Sequence, residues 1–193
     1  MTDHKFNPAK RAKLLAKSRL EILQPFNLLK RFNLQAGDIF IDVGAGNGAF
    51  AIPAAKIVGR TGFVYAVDVE IKMLLDLKYR AQQLDLSNRI EIIKSQENDA
   101  NLRQPADLML FSYMLHEVDN KFIFLENYFR FLKTGARVIF IEWQADVDDK
   151  AGPPASHRVA RSELKELLKD NNITDLETEE LSSEIYLMTG LKK

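Results

Sequence analysis

The residues best arranged for chemistry stand together in Asp42-Val43-Gly44-Ala45-Gly46-Asn47-Gly48, with Asp68 lying 24 residues beyond Gly44. Glycines admit positive φ and let a ligand approach the backbone with no Cβ in the way. A helix beginning just after such a turn offers unpaired N–H groups to polar ligand atoms. Three glycines in five residues exceed what a tight turn alone requires. A phosphate-binding P-loop needs a lysine after its last glycine, where this chain has Ala49 and Phe50. The dinucleotide fingerprint is spaced GxGxxG, whereas this turn reads GxGxG. Asp68 closes a run of strand character, where a carboxylate can accept hydrogen bonds from both ribose hydroxyls of an adenosine ligand. That role serves any adenosine cofactor, so Asp68 by itself does not choose among them.

Groups able to move a proton are few, because the chain has three histidines. His116, with Tyr113 and Glu117 beside it, follows a strand-like run and so falls on the ligand side of a sheet. An imidazole with an ordinary pKa of ~6.5 suits proton transfer, and one in such a loop can equally cap the next helix or pack on a cofactor. His157 and Arg158 follow Gly152-Pro153-Pro154, a loop placed either to wall an acceptor site or simply to carry solvated polar groups. His4 stands in the basic start of the chain and has no evident role. No metal site is expected. The histidines lie 112 and 41 residues apart, with no helical i, i+4 pair. Asp146, Asp148 and Asp149 lack the glycine and glutamate of a calcium loop.

The elements that must position these residues alternate along the chain. Ile39 to Val43 is a continuous apolar run, as in strands covered on both faces. Helix is expected over 50–58, strand over 62–68 and helix over 71–84. Strands are expected again at 89–94, 107–111 and 136–142. Between the last two, Asp119 reads as the N-cap of a helix with the stripe Phe122, Leu125, Phe129 and Leu132, closed by Thr134-Gly135. A helix over 161–170 follows, then strand-like segments at 173–177 and 184–189. The residues between those two segments are too few for a right-handed crossover, so the last strand should enter antiparallel. The fold class expected is α/β: a Rossmann-like open sheet of about seven strands, mostly parallel with an antiparallel last strand, and helices on both faces. Residues 1–35 read as an N-terminal helical segment that acts as a lid or cap, and residues 36–193 as the ligand-binding domain, the whole forming a single structural domain.

Composition bounds the rest. With 193 residues, 46% of them apolar, the chain is one ordinary domain with enough core to need no staple. Lys plus Arg is 27 and Asp plus Glu is 27, which argues against a dedicated nucleic-acid binder. The zero sum conceals eight basic against two acidic residues over 1–31, and eight acidic against four basic over 162–193. There is no cysteine, which excludes disulfides, thiolate metal sites and a cysteine nucleophile. Neither a secretory leader nor an apolar run of spanning length is visible, so a cytoplasmic protein with no stable membrane insertion is expected.

The D-x-G-x-G-x-G turn followed by VYAVDVE resembles the class I S-adenosylmethionine (SAM)-dependent methyltransferases. The likeness continues through IEIIKSQENDA, ADLMLFSYMLHEV and LKTGARVIFIEW, covers about residues 36–190, and is nearest to the small ubiquinone/menaquinone-biosynthesis type, including the element Gly152-Pro153-Pro154 with His157-Arg158. It implies SAM as cofactor, with Gly44, Ala45, Gly46 and Gly48 along its methionine half and Asp42 in the polar network around its ammonium. Asp68 would bind the ribose, Val69 would lie beside the adenine, and Gln96 and Glu97 would meet the adenine edge. Phe111 and Ser112 would supply backbone and surface near the sulfonium. Displacement at a sulfonium methyl needs mainly alignment, so no nucleophilic residue is required; a base helps when the acceptor is a hydroxyl or protonated amine. His116, Tyr113 and His157 are the catalytic candidates. The expected activity is methyl transfer to a small-molecule acceptor by a monomer or homodimer. An NAD(P)-dependent oxidoreductase and a non-catalytic SAM-binding protein are the alternatives.

Overall fold

The computed structural model describes residues 15–95, 102–147 and 152–193. The glycine-rich turn sits where the strand order of the sheet reverses, and that placement governs everything about the site. The first strand, β1 (Ile39–Val43), lies in the middle of the sheet. It pairs in parallel with β2 (Phe63–Asp68) on one side and with β4 (Ala106–Ser112) on the other. Outside β2 comes β3 (Ile90–Lys94), and outside β4 comes β5 (Leu132–Trp143), both parallel. The last two strands, β6 (Ile173–Ser182) and β7 (Ile185–Lys192), complete the order β3-β2-β1-β4-β5-β7-β6. β7 inserts antiparallel between β5 and β6, as the short connection between the last two segments requires.

Alternation along the strands divides the core into two layers. Phe40, Ala66, Leu110 and Ile141 face one side, with Leu28 and Leu29 of α2 (Pro25–Arg31), Ala51 and Ile52 of α3 (Ala51–Val58), and Leu77 and Ala81 of α4 (Ile71–Gln83). Ile41, Val67, Phe111 and Phe140 face the other, with Phe124 and Tyr128 of α5 (Lys121–Phe129) and Leu164 and Leu168 of α6 (Arg161–Asp170). Because both faces are covered, β1 is apolar at nearly every position. A short helix, α1 (Lys17–Leu23), precedes α2 and buries Leu23 in the first layer. The N-terminal helices thus pack into the same core as the sheet.

Two local expectations change. The N-cap of α5 is Asn120, whose side chain accepts from the Ile123 N–H at 3.1 Å, one residue later than Asp119. Thr134-Gly135 does not close that helix but lies within β5, which already pairs at Leu132 with Ala106 and then bulges before Arg137 meets Leu108. Sheet pairing overrides the local helix-stop signal there. The buried face of α5 is accordingly Phe124, Leu125, Tyr128 and Phe129, and Phe122 is exposed.

Candidate functional site

Three loops converge at the carboxyl ends of the central strands. The first is the glycine-rich turn. Gly44 has φ +74, and a Cβ there would lie 2.8 Å from the Met114 side chain, so the glycine admits the loop after β4 against the turn. Gly48, at φ +87, abuts Leu77 of α4 closely enough that a Cβ would overlap it. These two glycines serve packing between elements as well as any ligand.

Four N–H groups of the turn itself have partners within the protein. Those of Gly44 and Ala45 both donate to the Val67 carbonyl, at 2.9 and 3.0 Å, and that of Gly48 donates to the Ala45 carbonyl. The Gly46 N–H donates to Asp68 Oδ2 at 2.8 Å. Arg80 of α4 donates from beneath to the Asn47 carbonyl. These bonds tie the turn to β2 and α4.

Both acids named from the sequence are here. Asp42 is 1% exposed, on the α3 side of the sheet, and accepts a hydrogen bond from the Ala51 N–H at the start of α3. Its Oδ2 is buried with no partner among the described residues. Burial raises its carboxyl to about 7, against the lowering by Ala51, with the nearby Asp68 adding to the rise. Asp68 Oδ1 accepts from the Glu70 N–H at 2.8 Å, and the Val69 N–H binds the same carboxylate. With three N–H donors on two oxygens, about one acceptor position remains. Burial raises the Asp68 carboxyl too, those N–H bonds opposing it. Val69 beside it is exposed. Gln96 and Glu97 lie outside the described residues, as does His4.

The second loop follows β4. Phe111 is fully buried, its ring stacked on Phe140 at 4.7 Å and edge-on to Phe124, Tyr128 and Phe129, so toward the site it presents only backbone. Ser112 is half-buried at the strand end. Tyr113 adopts φ +55, a strained value for an aromatic residue, with its N–H held by the Ile141 carbonyl at 2.8 Å. Its ring lies 5.2 Å from Trp143, and its hydroxyl is buried without a partner among the described residues. Burial pushes that hydroxyl well above the ordinary tyrosine range.

His116 is held by a residue that sequence reasoning had placed only as the end of a strand. Glu142 of β5, 1% exposed, pairs through Oε2 with His116 Nδ1 at 2.9 Å and through Oε1 accepts the Leu115 N–H at 2.8 Å. Glu117 lies 3.8 Å from His116 Nε2. Burial pulls the imidazole pKa down, but the charge and hydrogen bond of Glu142, helped by Glu117, outweigh it and hold the group above its ordinary value. Ser112 pairs with Ile141 in the β4–β5 ladder, so Glu142 is the β5 residue that meets the turn after β4. The pairing register was the only signal that could have found it.

The third loop follows β5. Gly152 packs on Trp143, where a Cβ would come within 2.5 Å of the indole. Arg158, buried, donates to the carbonyls of Pro153, Gln144 and Val147 at 2.9, 2.9 and 3.3 Å, pinning this loop beside Trp143. His157 sits on the single turn Ala155–His157 just before it. A further residue comes from α1: the Arg19 guanidinium stacks on the Tyr113 ring, 4.0 Å from its centroid. Among the described residues no group of three or more His, Asp or Glu could hold a metal, and no helix is long and apolar enough to cross a membrane.

Comparison with known proteins agrees with this architecture. A methyltransferase domain family matches residues 34–186. The demethylmenaquinone methyltransferase of Oceanobacillus iheyensis is 31% identical over 115 residues, 59% of this chain and 48% of that protein. The ubiquinone/menaquinone biosynthesis C-methyltransferase of Haemophilus ducreyi is 25% identical over 126 residues, 62% of this chain and 49% of that protein. This chain therefore aligns with about half the length of these curated relatives. A solved SAM-dependent methyltransferase from Aquifex aeolicus superposes with a TM-score of 0.89 at 31% identity, covering 98% of this chain and 100% of that one. The cyclase SpnF, at 15% identity and a TM-score of 0.76, covering 89% of this chain and 81% of that one, shares the fold alone.

Proposed function

Since the chain belongs to the class I SAM-dependent methyltransferases, we propose that its site binds SAM through Asp42 and Asp68 and directs the methyl to a small-molecule acceptor held beside Tyr113 and His116. The observation that carries this reading is Asp42 Oδ2, a buried carboxylate oxygen without a partner beside the glycine-rich turn. Such an atom calls for a cationic donor, because an unpaired buried charge is costly. The α-ammonium of SAM is that donor. A dinucleotide would bring a pyrophosphate to the same turn, facing Asp42 and finding the Gly46 N–H already taken by Asp68. The site is therefore a poor fit for an NAD(P)-dependent oxidoreductase.

Bound SAM supplies a methyl activated by its sulfonium. Gly44, Ala45, Gly46 and Gly48 line its methionine half, Asp68 accepts from a ribose hydroxyl through its remaining position, and exposed Val69 lies against the adenine. Ser112 and the Phe111 backbone flank the sulfonium. His116 carries its proton on Nδ1 toward Glu142, which leaves the Nε2 lone pair to take a proton from the acceptor. Tyr113 walls the acceptor with Trp143, and His157 lies in the loop that closes this wall. Residues 15–35 act as a cap through Arg19, and the enzyme works in the cytoplasm.

Titration calorimetry with SAM and with its demethylated product S-adenosylhomocysteine (SAH) tests the cofactor reading. Binding of both is expected, and binding of neither at millimolar ligand refutes it. An untargeted metabolite extract incubated with methyl-labelled SAM then identifies the acceptor by the compound that gains the label. Saturable SAM binding with no labelled product across such extracts would favour a non-catalytic SAM-binding protein.

A further inference from the structure

Tyr113 and Arg19 share a property that the methyl-transfer reading does not use. Both carry a buried hydrogen-bond donor with no acceptor among the described residues: the Tyr113 hydroxyl and the Arg19 Nε–H. Buried polar groups in folded proteins are almost always satisfied, and two orphans on stacked side chains call for an explanation. The guanidinium lies over the ring at 4.0 Å, an arrangement that occupies its face and leaves its in-plane donors available. Its charge is only partly answered: Glu142 is within electrostatic range, but both of its oxygens are committed to His116 and the Leu115 N–H.

The place is the right one for an acceptor. Tyr113 and Trp143 pack in the sheet layer of Ala45, which belongs to the glycine-rich turn. Met114, the neighbour of Tyr113, touches Gly44. A ligand group at the edge of the Arg19–Tyr113 stack would therefore lie next to the methionine half of the cofactor site.

Resting on the reading of this centre as a methyl-transfer site, we propose that Arg19 and Tyr113 form an anion subsite and that the acceptor carries a single carboxylate held by the Arg19 guanidinium and the Tyr113 hydroxyl. A planar carboxylate matches the in-plane fork of a guanidinium and accepts from a phenol at the same time. The charge balance selects a monoanion. One negative charge answers Arg19, while a phosphate dianion would be left with surplus charge near Glu142 and Glu184, both of which act electrostatically on Tyr113. Burial disfavours the charged form of Arg19, so an anionic ligand restores what desolvation takes away.

The chain contains one tryptophan, Trp143, and its ring is 5.2 Å from Tyr113, so its emission reports on this subsite. SAH-saturated protein is titrated with benzoate and 4-hydroxybenzoate, and in parallel with the matching amides. The carboxylates are expected to change Trp143 emission and to bind at least about tenfold more tightly than the amides, the effect of one charge-assisted hydrogen bond. Arg19→Gln should abolish that preference and Tyr113→Phe should reduce it severalfold. Both variants should still bind SAH and melt cooperatively. Equal binding of acids and amides, no binding of the acids, or a preference that survives Arg19→Gln overturns the subsite. If SAH itself fails to bind the wild-type chain, the methyl-transfer reading falls instead, and the same carboxylate titration without SAH still decides the subsite.

Discussion

Replacing Asp42 by Asn should weaken cofactor binding while stabilising the empty protein, and both effects follow from one buried oxygen. The Asp42 carboxyl is raised from 3.8 to about 7 by burial. Between the unfolded and folded values the folded chain holds a proton that the unfolded chain has released. That contribution to stability is complete below about pH 4 and is lost as pH rises through about 7. A shift of about three units corresponds to about 4 kcal/mol of strain on the ionised group. Asn removes the charge and keeps an acceptor for the Ala51 N–H. Its amide NH2, though, stands where Oδ2 has no partner, at a cost of about 1–3 kcal/mol. The net gain at pH 8 is therefore about 1–3 kcal/mol, a rise of several degrees in Tm, read by calorimetric melting without ligand. Binding moves oppositely. An ammonium pairs with the ionised carboxylate, and with a pKa of about 7 only about one molecule in eleven is ionised at pH 6. The wild-type Kd for SAH should then weaken about tenfold from pH 8 to pH 6, and Asp42→Asn at pH 8 should weaken it by about 10- to 100-fold with a flat pH profile. Titration calorimetry between pH 6 and 8 measures both. A wild-type Kd constant over that range, or an Asn variant with wild-type affinity at pH 8, would show that Asp42 does not receive the ammonium.

Asp68→Ala should lower SAH affinity by about 1–3 kcal/mol, since it removes an acceptor for the ribose and frees the Gly46 N–H; unchanged affinity in the same calorimetric titration would refute the ribose role. In Glu142→Gln the charge that holds the His116 pKa up is gone while burial remains, so the imidazole should titrate below its ordinary ~6.5; nitrogen-detected NMR of the histidine rings follows this, and an unshifted His116 would refute the pairing. Gly48→Ala forces a Cβ into Leu77 at positive φ and should cost about 2–4 kcal/mol in urea unfolding, whereas a loss under 0.5 kcal/mol, roughly the effect of a neutral surface change, would show that α4 does not brace the turn.

Much of this protein was legible before any coordinates. Gly44, Gly46 and Gly48 after an apolar run, with Asp68 at the end of the next, are local features whose meaning depends only on spacing. The antiparallel entry of β7 also followed from length, because so short a connection cannot cross over a sheet. Helix faces were less legible. Helical spacing alone would group Leu74, Leu75, Lys78, Ala81 and Leu84 in one stripe, yet the buried face of α4 is Met73, Leu74, Leu77 and Ala81, with Leu75 and Leu84 exposed. Short helices admit neighbouring stripes of similar apolarity, and the sheet beneath chooses between them.

The sequence by itself determined the class of fold and, through its resemblance to a known family, the kind of cofactor, since the order of elements and the spacing of a glycine turn are encoded within a few tens of residues. The tertiary structure alone decided which groups are paired and which are left waiting. Asp42 kept one carboxylate oxygen without a partner among the described residues because α3 covers it, His116 acquired Glu142 from a strand 26 residues away, and Arg19 reached Tyr113 from the far end of the chain. Burial and pairing are properties of neighbours in space, and those neighbours are set by strand register and by which face of the sheet each helix covers.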